Sequence, residues 1–455
     1  MALVTSSLIG MIKIMKKYSK LTIFSWSMYD FANQPFTTLA LTFIYGTFFV
    51  KVIAENEIVG TMLWSRGITL TAIFVAFLSP LMGAVADQGG FRKIYLIFWS
   101  WVCIVSSFIL YFPGPGDVYF SLIVFIIANI GFEMGGVFCN AYLPEIAPKE
   151  KIGRISGYGW SMGYVGGLIA LTIAMIFFVS ADLPIFNLNK DNYEHIRATN
   201  ILIAIWFAIF SLPTFIFIKD KSKKSFKIEI YRQSMNQLKH TFQNIFQYRE
   251  MMKFLIARLI YNDGLITVFA FGGIYAAGTF GFSFNEIMIF GIVLNITAGL
   301  GAFLLGFLDD VLGGKKTIQI SNIGLIVACL IAVFSPNRTI LECDVPLLGE
   351  FKITGKFLFW ISGILIGVFS GPNQASSRSL MARFVPKDKE NEFFGFFAFS
   401  GKATAFLGPF LLGYLTSIFG SQRFGVAVVI IFLLIGSIIL YTVDEKKGEQ
   451  QALSG

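Results

Sequence analysis

Long apolar runs alternate with short polar ones along nearly the whole chain. They fall near 21–50, 59–86, 94–112, 118–141, 157–180 and 199–218, then near 254–278, 285–308, 317–335, 357–380, 392–418 and 424–442. A membrane-crossing helix needs about 20 predominantly apolar residues, so each run predicts one. Barrel strands are shorter and alternate in polarity, which excludes a β-barrel. The links are mostly short and rich in Pro, Gly and charge, as in Pro113-Gly-Pro-Gly-Asp117 and in residues 418–423. The pattern predicts an all-α integral membrane protein with twelve transmembrane helices. Six form an N-terminal bundle (21–218) and six a C-terminal bundle (254–442). Tails occupy 1–20 and 443–455, and a linker occupies 219–253.

The linker breaks the apolar rhythm. It carries Lys219, Lys221, Lys223, Lys224, Lys227, Arg232, Lys239, Arg249 and Lys253 against Asp220, Glu229 and Glu250. It reads as a solvated tether between the bundles, with docking of a partner as the alternative. The other basic residues follow the same alternation. One set of loops and ends holds Lys13, Lys16, Lys17, Lys20, Arg92, Lys93, Lys149, Lys151, Arg154, Lys315, Lys316, Arg383, Lys387, Lys389, Lys446 and Lys447. The other set holds Lys51, Lys190, Arg197, Arg338, Lys352, Lys356 and Arg423. Positive loops stay on the cytoplasmic side, so both termini are expected inside.

Composition agrees. Of 455 residues, 55% are hydrophobic and 14% charged, against about 25% charged in soluble domains. The net charge of +9 sits in loops and tails. It reads as a topology signal, and no nucleic-acid partner is expected. Cys103, Cys139, Cys329 and Cys343 form no Cys-x-x-Cys pair, and His195 and His240 are the only histidines. Neither a metal site nor a disulfide is expected, and no cofactor. The N-terminal stretch is read as a short interfacial helix or a tail, not a cleaved leader.

The two halves repeat. Gly83-Ala-Val-Ala-Asp87-Gln-Gly-Gly90-Phe-Arg92-Lys93 follows the second run, and Gly306-Phe-Leu-Asp-Asp310-Val-Leu-Gly313-Gly-Lys315-Lys316 follows the eighth. Pro148-Lys-Glu150 with Gly157 after the fourth run matches Pro386-Lys-Asp388 with Gly395 after the tenth. Two signatures in similar register point to parallel repeats of six spans, a transporter architecture.

Ionisable groups inside hydrocarbon are costly and usually paired or facing a cavity. The first run contains Asp30, Asn33, Gln34 and Pro35. Three- and four-residue spacing puts the polar three on roughly one face. Asp30 lies about 15 Å deep at 1.5 Å per residue, and Pro35 frees a carbonyl one turn earlier. The alternative for Asp30 is a structural carboxylate paired with a basic residue near the inner surface. Tyr261-Asn262-Asp263 in the seventh run aligns with Tyr29-Asp30. Glu133 and Asn140 share a face of the fourth run. Asn373 and Gln374 lie in the tenth and Lys402 in the eleventh. Asp30, Asn33, Gln34, Glu133, Asn140, Asn262, Asp263, Asn373, Gln374 and Lys402 are the candidates to line a substrate cavity between the halves. Arg66 is placed to neutralise Asp30 or Glu133. Lys402 is placed to pair with Asp263 or another carboxylate. Arg258 is read as snorkelling and Arg378 as an anchor near the inner end. Asp30, Glu133 and Asp263 are candidates to carry a coupling proton. Asp87, Arg92, Lys93, Asp310, Lys315, Arg154 and Arg378 are candidates for a gating latch, each loop acid pairing with nearby bases.

No Gly-x-Ser-x-Gly, His-Glu-x-x-His or Walker motif occurs, so a hydrolase, a metalloprotease and a nucleotide-driven pump lack their chemistry. A lipid-modifying enzyme using scattered intramembrane acids is the remaining enzymatic reading.

Several motifs together resemble the major facilitator superfamily, and more closely the bacterial relatives of the vacuolar amino-acid effluxer family. They are Tyr29-Asp-Phe-Ala-Asn33, Ser79-Pro-Leu-x-Gly-x-x-x-Asp87 with Arg92-Lys93, and Asn140-Ala-Tyr-Leu-Pro-Glu145 leading into Gly153-Arg-Ile-Ser-Gly157. In the second half they are Gly371 to Arg378, Phe393-Phe-Gly395, Lys402 and Gly408-Pro409. The resemblance implies the major facilitator fold, alternating access without ATP hydrolysis, and residence in the plasma (inner) membrane of a bacterium. It also implies export of a small polar solute, with amino acids foremost. The chain is expected to act as a monomer among membrane lipids. An uncoupled facilitator and a receptor or scaffold that has lost transport are the alternatives.

Overall fold

A computed structural model describes residues 19–180, 185–220, 228–243, 245–336, 339–345 and 349–454. The N-terminal stretch and the lysine-rich start of the linker lie outside them. Twelve helices among the described residues are long and apolar enough to cross a membrane: Lys20–Ile53, Glu57–Gly89, Arg92–Ile109, Val118–Ile146, Lys149–Val179, Glu194–Phe217, Arg249–Phe280, Glu286–Leu312, Gly314–Phe334, Gly355–Phe384, Glu390–Phe419 and Gln422–Tyr441. We number them spans one to twelve. The even number brings both ends to one side, called here the terminal face.

Packing repeats between the halves. Span one packs on five and six, and three on four. In the second half seven packs on twelve, and nine on ten. The halves meet chiefly where two packs on eleven and five on eight, with ten reaching five. Large apolar side chains such as Phe77, Phe410 and Ile438 face outward, as lipid contact requires.

Interruptions in two of the spans bear on the site. Span one is α-helical over Lys20–Pro35, then widens to π-helical geometry over Phe36–Phe43. Pro35 has no N–H to give to Phe31, one turn earlier. The indole N–H of Trp206 in span six takes that carbonyl at 3.1 Å. Span eleven runs as a helix over Glu390–Lys402, breaks, and resumes over Leu407–Phe419. Carbonyls beside the break take side-chain donors from span seven. Arg258 Nη1 gives to Phe397 O at 2.6 Å, and Asn262 Nδ2 gives to Gly401 O at 3.1 Å. Arg258 therefore does not snorkel. Its guanidinium lies 3.6 Å from the Phe397 ring centroid, held inside the bundle.

Two linking segments differ from the sequence expectation. Thr339–Val345 and Gly349–Thr354 pair as an antiparallel hairpin on the face opposite the termini. The linker is more than a tether, since Ile228–Gln243 is a helix. Its Ile230 packs with Val85 and Phe91, and Ser234 Oγ donates to Ala84 O at 3.3 Å.

Candidate functional site

The polar groups that join the halves form three layers, counted inward from the terminal face. In the first, carboxylates cap helices across the interface. The first N–H groups of a helix lack intrahelical acceptors and carry its positive end. Asp87, at the end of span two, accepts from the backbone N–H of Asn391 at 3.1 Å and of Glu392 at 2.8 Å, and from Asn391 Nδ2 at 2.6 Å. These begin span eleven. Asp310, at the end of span eight, accepts from Gly153 N–H at 2.9 Å and Arg154 N–H at 3.2 Å, and pairs with the Arg154 side chain. These begin span five. Gly90 and Gly313 follow the two acids with φ of 67° and 90°, the left-handed turn that the repeated glycines require. Gly83 has no room for a side chain, since a Cβ there would lie 2.3 Å from Asn391 O.

This layer corrects part of the predicted latch. Asp87 bonds to the opposite half and not to the bases of its own loop. Arg92 forms a cross-half ion pair with Glu390 at 3.2 Å and pairs with Glu145 of its own half at the same distance. Lys93 and Lys315 serve their own halves: Lys93 Nζ donates to Ile218 O at 2.8 Å, and Lys315 Nζ donates to Tyr441 O at 2.8 Å. Arg383 pairs with Asp309 at 2.6 Å and Glu445 at 3.3 Å. Gln237 of the linker helix bonds to Gln88 on one side and Glu392 on the other, spanning the seam.

The second layer is organised by Arg378, which lies deeper than its predicted anchoring position. Nη1 donates to Asp30 Oδ2 at 2.8 Å and Asn140 Oδ1 at 3.0 Å. Nε donates to Ser156 Oγ at 2.9 Å, and Nη2 to Ser156 O at 2.7 Å. The guanidinium lies 4.6 Å from the Trp26 ring centroid and 5.7 Å from that of Trp160. Its side chain is 3% exposed. Removing one partner of a buried pair costs about 3–5 kcal/mol, so this contact weighs heavily on whether the halves stay together. Arg66 is not the partner of Asp30 or Glu133; it is exposed on span two.

The third layer is the pair Lys402–Glu133, 2.6 Å apart, with side chains 29% and 18% exposed. Lys402 ends the first helical segment of span eleven, where the helix dipole favours a cation. Its partner is Glu133 and not Asp263. Gln374 Nε2 donates to the Tyr164 hydroxyl across the halves at 3.3 Å.

The remaining candidates disperse. Asn373 donates to Asn322 at 2.7 Å inside the second half and is 1% exposed, so it faces span nine and no central cavity. Asn33 is buried, and Gln34 lies against Gly167 of span five. Asp263 is buried, with the Thr404 hydroxyl beside its carboxyl. Sequence reasoning missed Trp26, Ser156, Trp160 and Gln237. Ser156 stands within a quoted motif and Trp26 one turn before Asp30, but their common partner comes from the other half, and no local spacing announces it.

A family model described as vacuole effluxer Atg22 like matches residues 61–453. The uncharacterized MFS-type transporter YxiO of Bacillus subtilis strain 168 is 26% identical over 438 residues, 95% of this chain and 97% of its own. Autophagy-related protein 22 of Saccharomyces cerevisiae strain S288c is 23% identical over 427 residues, 84% of this chain and 77% of its own. Among solved structures, the proton:xylose symporter XylE superposes with a TM-score of 0.69 at 13% identity, over 95% of this chain and 97% of its own. FucP in the outward conformation gives 0.64 at 12%, over 93% and 98%. At such identities the structural likeness is one of fold. The match over most of the chain identifies the sequence family: this chain belongs to the vacuole effluxer Atg22-like family, and is a membrane transporter of the major facilitator superfamily and not an enzyme.

Proposed function

We propose that the protein is a proton-coupled secondary transporter that exports a small zwitterionic solute of the amino-acid class by alternating access. The observation that carries this reading is the distribution of charge between the halves. Asp30 and Glu133 belong to the first half, Arg378 and Lys402 to the second, and each acid meets a base across the seam. Parting the halves at the terminal face leaves all four unpaired in a medium of low dielectric. A zwitterion offers an ammonium to the acids and a carboxylate to the bases. Asp263, buried with a neutral hydroxyl beside its carboxyl, is the proposed proton carrier, because the other two acids already pair with cations. The terminal face is taken as cytoplasmic on the loop charges, the membrane as a bacterial plasma membrane, and the working unit as a monomer.

The test is flux in proteoliposomes. Labelled amino acids are offered with and without an imposed pH gradient. Saturable flux stimulated by the gradient is expected, and Asp263→Asn should keep flux while losing the stimulation. Equal flux with and without a gradient would make the protein a facilitator. Binding without flux would make it a receptor.

A further inference from the structure

All the groups that hold Arg378 belong to the other half. Trp26 and Asp30 come from span one, Asn140 from span four, and Ser156 and Trp160 from span five. Arg378 comes from span ten. A carboxylate oxygen, an amide oxygen, a hydroxyl and a backbone carbonyl accept its N–H groups, while an indole lies 4.6 Å from its carbon. A planar fork of donors that also stacks on aromatic faces is the signature of a guanidinium. The first half therefore contains a formed socket for a flat organic cation, and the second half carries a tethered occupant.

The socket has no slack in the closed state. A Cβ on Gly159 would lie 2.5 Å from Asp30 Oδ2 and 2.6 Å from Arg378 Nη2. Opening the terminal face withdraws span ten, and with it Arg378. The acceptors and the Asp30 carboxylate then face the opening without a partner. A cation of matching shape restores the charge-assisted bonds that the withdrawn guanidinium made.

We infer that the vacated socket binds the cationic end of the transported solute, and that this end is a guanidinium or similarly flat organic cation, as on a basic amino acid. The inference rests on the transport reading above and names the solute class for it. Arg378 acts as a built-in competitor. In the open state the solute's cation takes its place. On closure Arg378 returns and displaces that cation towards Glu133 and Lys402, nearer the opposite face. The solute's carboxylate meets Lys402 on the way.

The experiment uses the full chain in proteoliposomes with labelled L-arginine, L-leucine and L-glutamate, and with unlabelled agmatine as competitor. Saturable arginine flux is expected, inhibited by agmatine and not by glutamate. Asp30→Asn should weaken apparent affinity for arginine about tenfold or more, as loss of a charge-assisted bond requires. Flux of leucine or glutamate that ignores excess arginine and agmatine overturns the solute class while leaving the protein a transporter. A binding measurement separates the two readings if no flux is seen. Arg378→Ala, purified in detergent, empties the socket. Millimolar agmatine should raise its thermal midpoint, sodium chloride at equal ionic strength should not, and adding Asp30→Asn should abolish the rise. A rise without flux upholds the socket and removes the transport reading. No rise and no flux overturns both.

Discussion

At the scale of single residues, what matters is which charges meet. Span one shows its polar face directly in its three- and four-residue spacing, and Asp30 is costly enough in hydrocarbon to draw attention alone. Its partner cannot be read the same way. Arg378 stands near the end of an apolar run, where snorkelling would suffice. Only the crossing of spans one, five and ten brings it to Asp30. Gly159 is the clearest case of a residue whose purpose appears only in three dimensions. Alanine there places a methyl group against both partners of the ion pair. Gly159→Ala should lower flux by more than about tenfold, since parting a buried pair costs about 3–5 kcal/mol at about 1.4 kcal/mol per factor of ten. Flux and gel-filtration profile are measured together. Wild-type flux from a monodisperse variant would show that closure does not need the Asp30–Arg378 contact.

At the scale of elements, breaks in helices and caps on helices position the site. The interruption of span one was legible, because Pro35 announces it, and the freed Phe31 carbonyl found its donor in Trp206. The break after Lys402 was not foreseen. Gly401, Gly408 and Pro409 are its local causes, but apolar residues continue on both sides and hide it from hydropathy. The linker misled for a different reason. Its composition is that of a solvated tether, yet Ile230 and Ser234 lie one turn apart and make one face that fits span two. Gln237, one turn on, then bridges Gln88 and Glu392. The helix works as a strap over the seam. Gln237→Ala removes two hydrogen bonds, each contributing about 0.5–1.5 kcal/mol, and should open the terminal face more often. Spin labels on cysteines at Lys149 and Lys387, exposed on opposite halves, would report a larger long-distance population. An unchanged distance distribution would reduce the linker helix to a passenger.

At the scale of the whole molecule, the cross-half bonds named above run from the terminal face to mid-span, so this face is the closed one. Its cytoplasmic placement is part of the proposal, argued from loop charge. In intact cells of a Cys343→Ser variant, an impermeant thiol reagent should label a cysteine at Lys190, exposed beyond span five, and spare one at Lys149, exposed at the terminal face. The reverse pattern would invert the orientation and with it the direction of export. The sequence alone determined twelve spans, two parallel repeats and the shared side of the ends. These depend on hydropathy, length and local charge, which each stretch of chain carries by itself. It also nominated Asp30, Glu133 and Lys402, because charge in an apolar run is local information. Tertiary structure alone decided that Arg378 fills a socket in the other half, that Lys402 meets Glu133, that Asn373 turns away from the seam, and that Asp87 and Asp310 cap helices of the opposite bundle. Each joins residues far apart in sequence. Their meeting depends on how two bundles dock, and docking is set by the summed shape of many side chains.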